Sequence, residues 1–202
     1  MTEFDHHVEL SEKRALYNGY SQLYEYRLRH RLYRGGMSAE ITREVIVRGG
    51  AVFVLPYDPV RDELVMIEQF RIGPYANGGQ PWSLEAVAGM VETGEAGEDV
   101  ARREAREEAG IELQDITHAF DFYSSPGITT KHMSIYYART DAALAGGIHG
   151  LAEEGEDIKV IVMPFAEVMA ALDSGRINCG PVIAAVQWLA LHRDQVRKRW
   201  LS

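Results

Sequence analysis

The 202-residue sequence is 46% hydrophobic and 25% charged, with seven prolines and a single cysteine, which excludes collagen-like, disordered and disulfide-stapled secreted classes. Thirty acidic against twenty-one basic side chains leave a formal charge of −9, and such a field works against binding nucleic acid. The longest apolar run, Ala51–Tyr57, is far shorter than the roughly 18–20 residues of a membrane span, and the acidic start lacks the pattern of an export signal, so a cytoplasmic protein without a membrane partner is expected.

Residues 1–34 are rich in tyrosine and arginine (Tyr17, Tyr20, Tyr24, Tyr26, Arg27, Arg29, Arg31, Tyr33) and end on Gly35-Gly36, which reads as a strand-bearing arm. The adjacent His6 and His7 read as part of a frayed terminus and not as a metal site. Alternating apolar residues predict strands over Glu44–Tyr57, Glu63–Ile72, Trp82–Val91, Ile116–Tyr123, Met133–Ala138 and Ile158–Pro164. Asp58-Pro59-Val60-Arg61-Asp62 is the turn between the first two. Helices are predicted over Glu98–Ala109, stopped by Gly110, over Phe165–Ser174, and over Pro181–Trp200, which opens on a proline. Trp82, Trp188 and Trp200 read as packing residues, and Cys179 as a buried or inert thiol. These elements lack the regular rhythm of a doubly wound sheet, so the fold class is α+β.

Chemistry concentrates in Gly89–Ile111. A 100° step per residue puts Glu104, Glu107 and Glu108 on one helix face. A solvated surface laced with ion pairs is the plain reading of a charge run. Against it, Glu104–Glu108 and Arg102–Arg106 are like-charge pairs at i, i+4, which are mildly destabilising. Segregated carboxylates suit a hard cation such as Mg²⁺, which takes oxygen ligands together with substrate phosphates. Ala101, Ala105 and Ala109 form a small-residue stripe for close packing on a scaffold, and Arg103 stands where it can pair with Asp99 and Glu107 and hold a carboxylate in place.

These residues resemble the signature of the Nudix hydrolases, Gly-x5-Glu-x7-Arg-Glu-U-x-Glu-Glu-x-Gly-U, where U is bulky and apolar. Gly89, Glu95, Arg103, Glu104, Glu107, Glu108 and Gly110 meet all seven fixed positions, Ile111 meets the last U, and Ala105 departs at the first. A chance match in a chain of this length is about one in 10⁵ or rarer. The resemblance implies a Nudix fold, a mixed-sheet α/β/α sandwich with an N-terminal β-strand arm. It divides the chain into an arm over residues 1–40, with dimerisation and adenine-side contacts, and a hydrolase domain over 41–202.

Within the family the chain is most similar to bacterial ADP-ribose pyrophosphatases, through Arg43-Glu44, Glu68-Gln69-Phe70-Arg71, Leu84 to Gly89, Ser125-Pro126-Gly127, Gly147 to Leu151 and Glu156-Asp157. It departs after Ser-Pro-Gly, where Ile128-Thr129-Thr130-Lys131 puts a base at a position that usually holds a carboxylate. The implied reaction is Mg²⁺-dependent hydrolysis of ADP-ribose to AMP and ribose 5-phosphate, using two or three ions, with Mn²⁺ able to substitute. Another nucleoside diphosphate sugar such as GDP-mannose is the alternative substrate. A noncatalytic nucleotide-binding module is the alternative class, but it would be expected to have lost carboxylates that are present here. By the same resemblance, Glu104, Glu107, Glu108 and the carbonyl of Ala88 hold metal, and Glu95 holds Arg103. The general base is sought in the acidic loop, with Glu156 first and Glu154 second. Arg71 reaches a phosphate or the terminal ribose, Ser125 the ribose side, and Arg43, Glu44 and Tyr20 the adenine, where for Tyr20 plain packing is an equal reading. A homodimer sharing the adenine pocket through the arm is expected.

Overall fold

The computed structural model describes residues 7–201 and divides into two units. His6, part of the dismissed histidine pair, lies outside the described residues. The smaller unit comprises the chain up to residue 49 with residues 123–132. It is an antiparallel sheet of β1 (Val8–Asn18), β2 (Gln22–His30) and β3 (Ile41–Val47), in that order. Every residue of β1 is exposed, including Val8, Leu10 and Tyr17.

The larger unit, residues 50–122 and 133–202, is built on an eight-stranded mixed sheet. Its elements are β4 (Ala51–Asp58), β5 (Glu63–Phe70), the short helix α1 (Ile72–Ala76), β6 (Trp82–Glu85), β7 (Val87–Met90), α2 (Gly97–Ala109), β8 (Gln114–Tyr123), β9 (His132–Arg139), β10 (Ile148–His149), β11 (Ile158–Pro164), α3 (Phe165–Asp173) and α4 (Gly180–Leu201). The sheet order is β10-β11-β5-β4-β9-β8, with β6 on β5 and β7 on β4. The β4–β9 pair is parallel.

Strand β4 is buried along its whole length, as a central strand covered on both faces must be. Its alternation builds two cores: Phe53, Leu55 and Tyr57 point to the cluster under α3 and α4, and Val52 and Val54 to the cluster under α2. This is the α/β/α layering, with α2 alone on one face. Pro56 would be out of place in a continuous central strand because it has no N–H to donate. Here β4 pairs with β7 over Ala51–Val54 and with β5 at Tyr57 and Asp58, so Pro56 falls where the antiparallel partner changes.

Helix α2 buries Val100, Ala101, Ala105, Glu108 and Ala109. The alanine stripe lets it lie close to the sheet. Gly110 ends it at φ 64°, and a Cβ there would strike the ring of His149, so only glycine serves. The turn after β4 is closed by Asp58, whose Oδ1 accepts from Val60 N–H (2.9 Å) and Arg61 N–H (3.0 Å). Among the described residues, no helix is long and apolar enough to cross a membrane.

Several expectations need correction. The predicted strand 44–57 is two strands, broken at Arg48-Gly49-Gly50, and 82–91 is two strands meeting at Ala86. Helix α1 begins at Ile72, the last residue of the predicted strand, and runs to Ala76, where no helix was expected. Trp82 is exposed and meets Phe70 edge-on instead of packing in the core.

Candidate active site

The site grows from the contact of α2 with β7. Glu108, 2% exposed, reaches across so that Oε2 accepts the backbone N–H of Ala88 at 2.9 Å. One turn earlier, Glu104 lies against Gly89, where a Cβ would overlap its carboxyl group. The glycine at the head of the motif is therefore a matter of space: no other residue lets the helix and strand come this close with Glu104 between them.

Arg103 organises the acidic side chains around it. Its Nε and Nη2 face the two oxygens of Glu95 at 3.1 and 3.3 Å, and Nη1 donates to Glu104 Oε1 at 2.6 Å and Glu107 Oε2 at 3.2 Å. Nη2 also meets the Met90 carbonyl at 3.4 Å. The partners are thus Glu95, Glu104 and Glu107, and not Asp99 as the helical spacing suggested. The hydrogen bonds from Arg103 hold the Glu95 carboxyl below the usual carboxylate range. Glu95 in turn accepts the Glu92 N–H, which ties down the loop ahead of α2.

The acidic loop between β10 and β11 is pinned to the same helix. Gly150 N–H donates to the Glu107 carbonyl at 3.0 Å, and Leu151 N–H donates to Glu156 Oε2 at 3.1 Å. The charge of Glu156 acts on both Glu104 and Glu108. Glu153 and Glu154 lie on the 3-10 turn Ala152–Glu154 and are exposed. On the other flank, Arg71 forms a forked pair with Glu85, Nε at 3.1 Å from Oε1 and Nη2 at 2.8 Å from Oε2. Glu85 is 3% exposed, and the charges of Arg71 and Glu108 act on each other.

Burial pushes the Glu108 carboxyl up to about 8; Glu104 and Glu156 push the same way, while the Ala88 N–H and Arg71 oppose. Burial likewise pushes Glu104 up to about 7, against the pull of Arg103 and with the help of Glu107 and Glu156. Crowded, desolvated carboxylates resist ionisation unless positive charge joins them, and hard oxygen donors suit a divalent cation. The donor chemistry therefore fits such an ion. Among the described residues, no three acidic, histidine or cysteine side chains are gathered in a metal-holding arrangement; Arg103 Nη1 instead draws Glu104 and Glu107 to itself.

The other four sequence-derived contacts belong to the smaller unit. Tyr20 is 90% exposed and stacks on Arg48, 4.4 Å from ring centre to guanidinium, so it fills no core. Arg43 donates to the Thr42 carbonyl, and Glu44 stands opposite Glu25 across the β2–β3 ladder. Ser125 opens a turn in which its carbonyl accepts from Ile128 and Thr129 N–H, each at 3.1 Å. Sequence reasoning missed the buried carboxylate of Glu85 and the amide donor of Ala88. Glu85 was readable in principle as an acid inside an apolar strand, but the role of a backbone N–H leaves no trace in residue type.

The raised carboxyl groups make stability pH-dependent in a definite direction. Below about pH 4.5, the ordinary glutamate value, folded and unfolded chains both keep the proton. Between there and about 8 the unfolded chain releases it first, so the metal-free protein loses stability as pH rises. Glu108→Gln keeps an acceptor for Ala88 without the charge. Urea unfolding of metal-free protein should find this variant more stable than the parent at pH 8, by on the order of 4 kcal/mol, and nearly equal at pH 4.5; the same gap at both pH values would contradict it.

A NUDIX domain family model matches residues 47–191 of the chain. An ADP-ribose pyrophosphatase of Escherichia coli (strain K12) is 47% identical over 193 residues, spanning 96% of this chain and 92% of that protein. A GDP-mannose pyrophosphatase of Pectobacterium atrosepticum is 33% identical over 181 residues, spanning 89% and 92%. A crystal structure of an ADP compounds hydrolase superposes with a TM-score of 0.75 over 97% of this chain and 100% of that one, at 19% identity, which is a likeness of fold. Together with the carboxylate face of α2, these matches identify the chain as a member of the NUDIX domain family.

Proposed function

We propose that the protein is a divalent-cation-dependent pyrophosphohydrolase that cleaves ADP-ribose with water to AMP and ribose 5-phosphate. The observation that carries the chemistry is the pair of carboxylates, buried Glu108 and half-buried Glu104, set against Ala88 and Gly89 with Glu156 acting on both. The substrate assignment is supported by near-full-length similarity to an ADP-ribose pyrophosphatase, 47% identical against 33% for the GDP-mannose relative.

In this reading Glu104, Glu107, Glu108 and the Ala88 carbonyl hold Mg²⁺, two or three ions in number and replaceable by Mn²⁺. Bound there, the metal supplies charge neutralisation at the diphosphate and acidification of water. Arg103 keeps Glu104 and Glu107 oriented, and Glu95 keeps Arg103 in place. Arg71, fixed by Glu85, retains Nη1 outside that pair and offers it to a substrate phosphate or the terminal ribose. Glu156 accepts the proton of the attacking water, the carboxyl proton then being lost to solvent. Arg43, Glu44, Tyr20 and Ser125 serve the adenine and ribose ends.

One observation favours a second assignment within the same reaction. Because the charge of Glu156 acts on Glu104 and Glu108, it could join the carboxylates that hold metal, leaving the exposed Glu154 as the base. Exposed apolar residues along β1 (Val8, Leu10, Tyr17) support a homodimer built through the arm, in a cytoplasmic protein with no nucleic-acid or membrane partner.

Product analysis with ADP-ribose and GDP-mannose, each with and without Mg²⁺, tests the main reading. AMP and ribose 5-phosphate should form preferentially from ADP-ribose and only with metal; preference for GDP-mannose would move the substrate assignment. Glu156→Gln should lower kcat about 100-fold or more while changing KM and Mg²⁺ affinity little. A larger loss in Glu154→Gln, with weakened metal binding in Glu156→Gln, would reverse the two roles. Removal of residues 1–34 should give a monomer in sedimentation, and a persisting dimer would place the interface elsewhere.

A further inference from the structure

Gln69 is the penultimate residue of β5 and is 6% exposed, yet its side-chain Nε2 has no hydrogen-bond partner among the described residues. The alternation of the strand shows where it stands. Leu64 and Met66 join the core under α3 and α4, whereas Val65 and Ile67 join the core under α2. Gln69 continues the second row, on the side of the sheet that α2 covers. Its neighbours across the ladders agree. It pairs with Ser83, Ile67 pairs with Glu85, and the Lys159–Glu68 pair puts the buried Ile158 alongside.

The α2-side face of β5 and β6 is therefore apolar up to Ile67 and then turns polar at Gln69, Ser83, Glu85 and Arg71. Among the described residues no acceptor reaches that N–H: Glu85 holds Arg71, and Glu108 Oε2 holds the Ala88 N–H. An amide whose donor is left unmade in a desolvated row is unfavourable compared with a methionine of similar volume. A partner brought from outside the chain resolves this, and it must supply acceptor oxygens. Arg71, two residues on, presents its remaining guanidinium N–H on the same face, about 7 Å along the strand. Two donors in one row, one cationic and one neutral, beside a cluster of carboxylates that takes up positive charge, match a ligand carrying several anionic oxygens.

We propose that Gln69 is a substrate-binding residue whose side-chain N–H donates to a diphosphate oxygen of the nucleotide sugar. The inference rests on the pyrophosphatase reading above and deepens it.

The test compares Gln69→Met and Gln69→Glu with the parent in three measurements: thermal unfolding without metal, kcat and KM with ADP-ribose and Mg²⁺, and Kd for a methylene-bridged ADP-ribose that cannot be hydrolysed. Removing an unmade donor should leave the melting temperature of Gln69→Met equal to the parent or higher. The same variant should bind the analogue about tenfold more weakly and lose kcat/KM at least in proportion. Gln69→Glu, of the same shape but facing the diphosphate with negative charge, should lose more of both. A Gln69→Met protein with unchanged Kd and kcat/KM would overturn the proposal, because the amide would then be met by water alone. If methionine instead lowers the melting temperature, the glutamate variant decides, and parental affinity there likewise overturns it. A parent enzyme that does not hydrolyse ADP-ribose would refute the underlying reading, an outcome distinct from both.

Discussion

The structure turns on a carboxylate placed where carboxylates are disfavoured. Glu108 is almost wholly buried between α2 and β7, and one backbone N–H is its hydrogen-bond donor there. Its burial requires the helix to lie nearly against the strand, which demands alanines at 101, 105 and 109 and no side chain at Gly89. A bulkier residue at any of these points would lift the helix and let water reach Glu108. The same closeness brings Glu104 into the crowd and raises both carboxyl groups. Close packing and unusual acidity are one feature seen from two sides.

Arg103 makes this crowding tolerable. One guanidinium is shared among Glu95, Glu104 and Glu107, so the positive charge in direct contact with Glu104 is lent out and not committed. Glu95, outside the crowd, takes two of its N–H groups and fixes its direction. The net charge of −9 makes such local compensation necessary for any site that is to receive a phosphate ester.

Much of this was readable in the residues. The helical period of Glu104, Glu107 and Glu108, the alanine stripe and the stop at Gly110 each state a local rule, and α2 begins and ends within one residue of its expected bounds. Chain breaks inside apolar runs were not readable. Alternation continues through Gly49 and Ala86, and only the tertiary change of partner separates β3 from β4 and β6 from β7. Helix α1 follows the strong strand formers of β5 and has too few residues to show a period. Helical spacing pairs Arg103 with Asp99, whereas Glu95, in the loop before α2, is a partner that the period of the helix does not show and only the family resemblance indicates. Nothing in the residue type of Gln69 shows that it is buried; that depends on the neighbouring strands, where it stands opposite Ser83.

The change of partner at Ala86 carries a consequence for how this chain can vary. Glu85 sits on the β5 ladder opposite Ile67, and Ala88 on the β4 ladder opposite Phe53, with Ala86 fully buried between them. Strand faces alternate residue by residue. Inserting or deleting one residue between Glu85 and Ala88 would preserve both ladders only by turning one of them over, sending either the Arg71 anchor or the Gly89 gap to the wrong side of the sheet. A substitution of similar volume between Glu85 and Ala88 keeps both ladders in place, whereas a change of length does not. Descendants of this sequence should therefore diverge freely in the loops that flank residues 82–90 while keeping the count of residues within that segment constant.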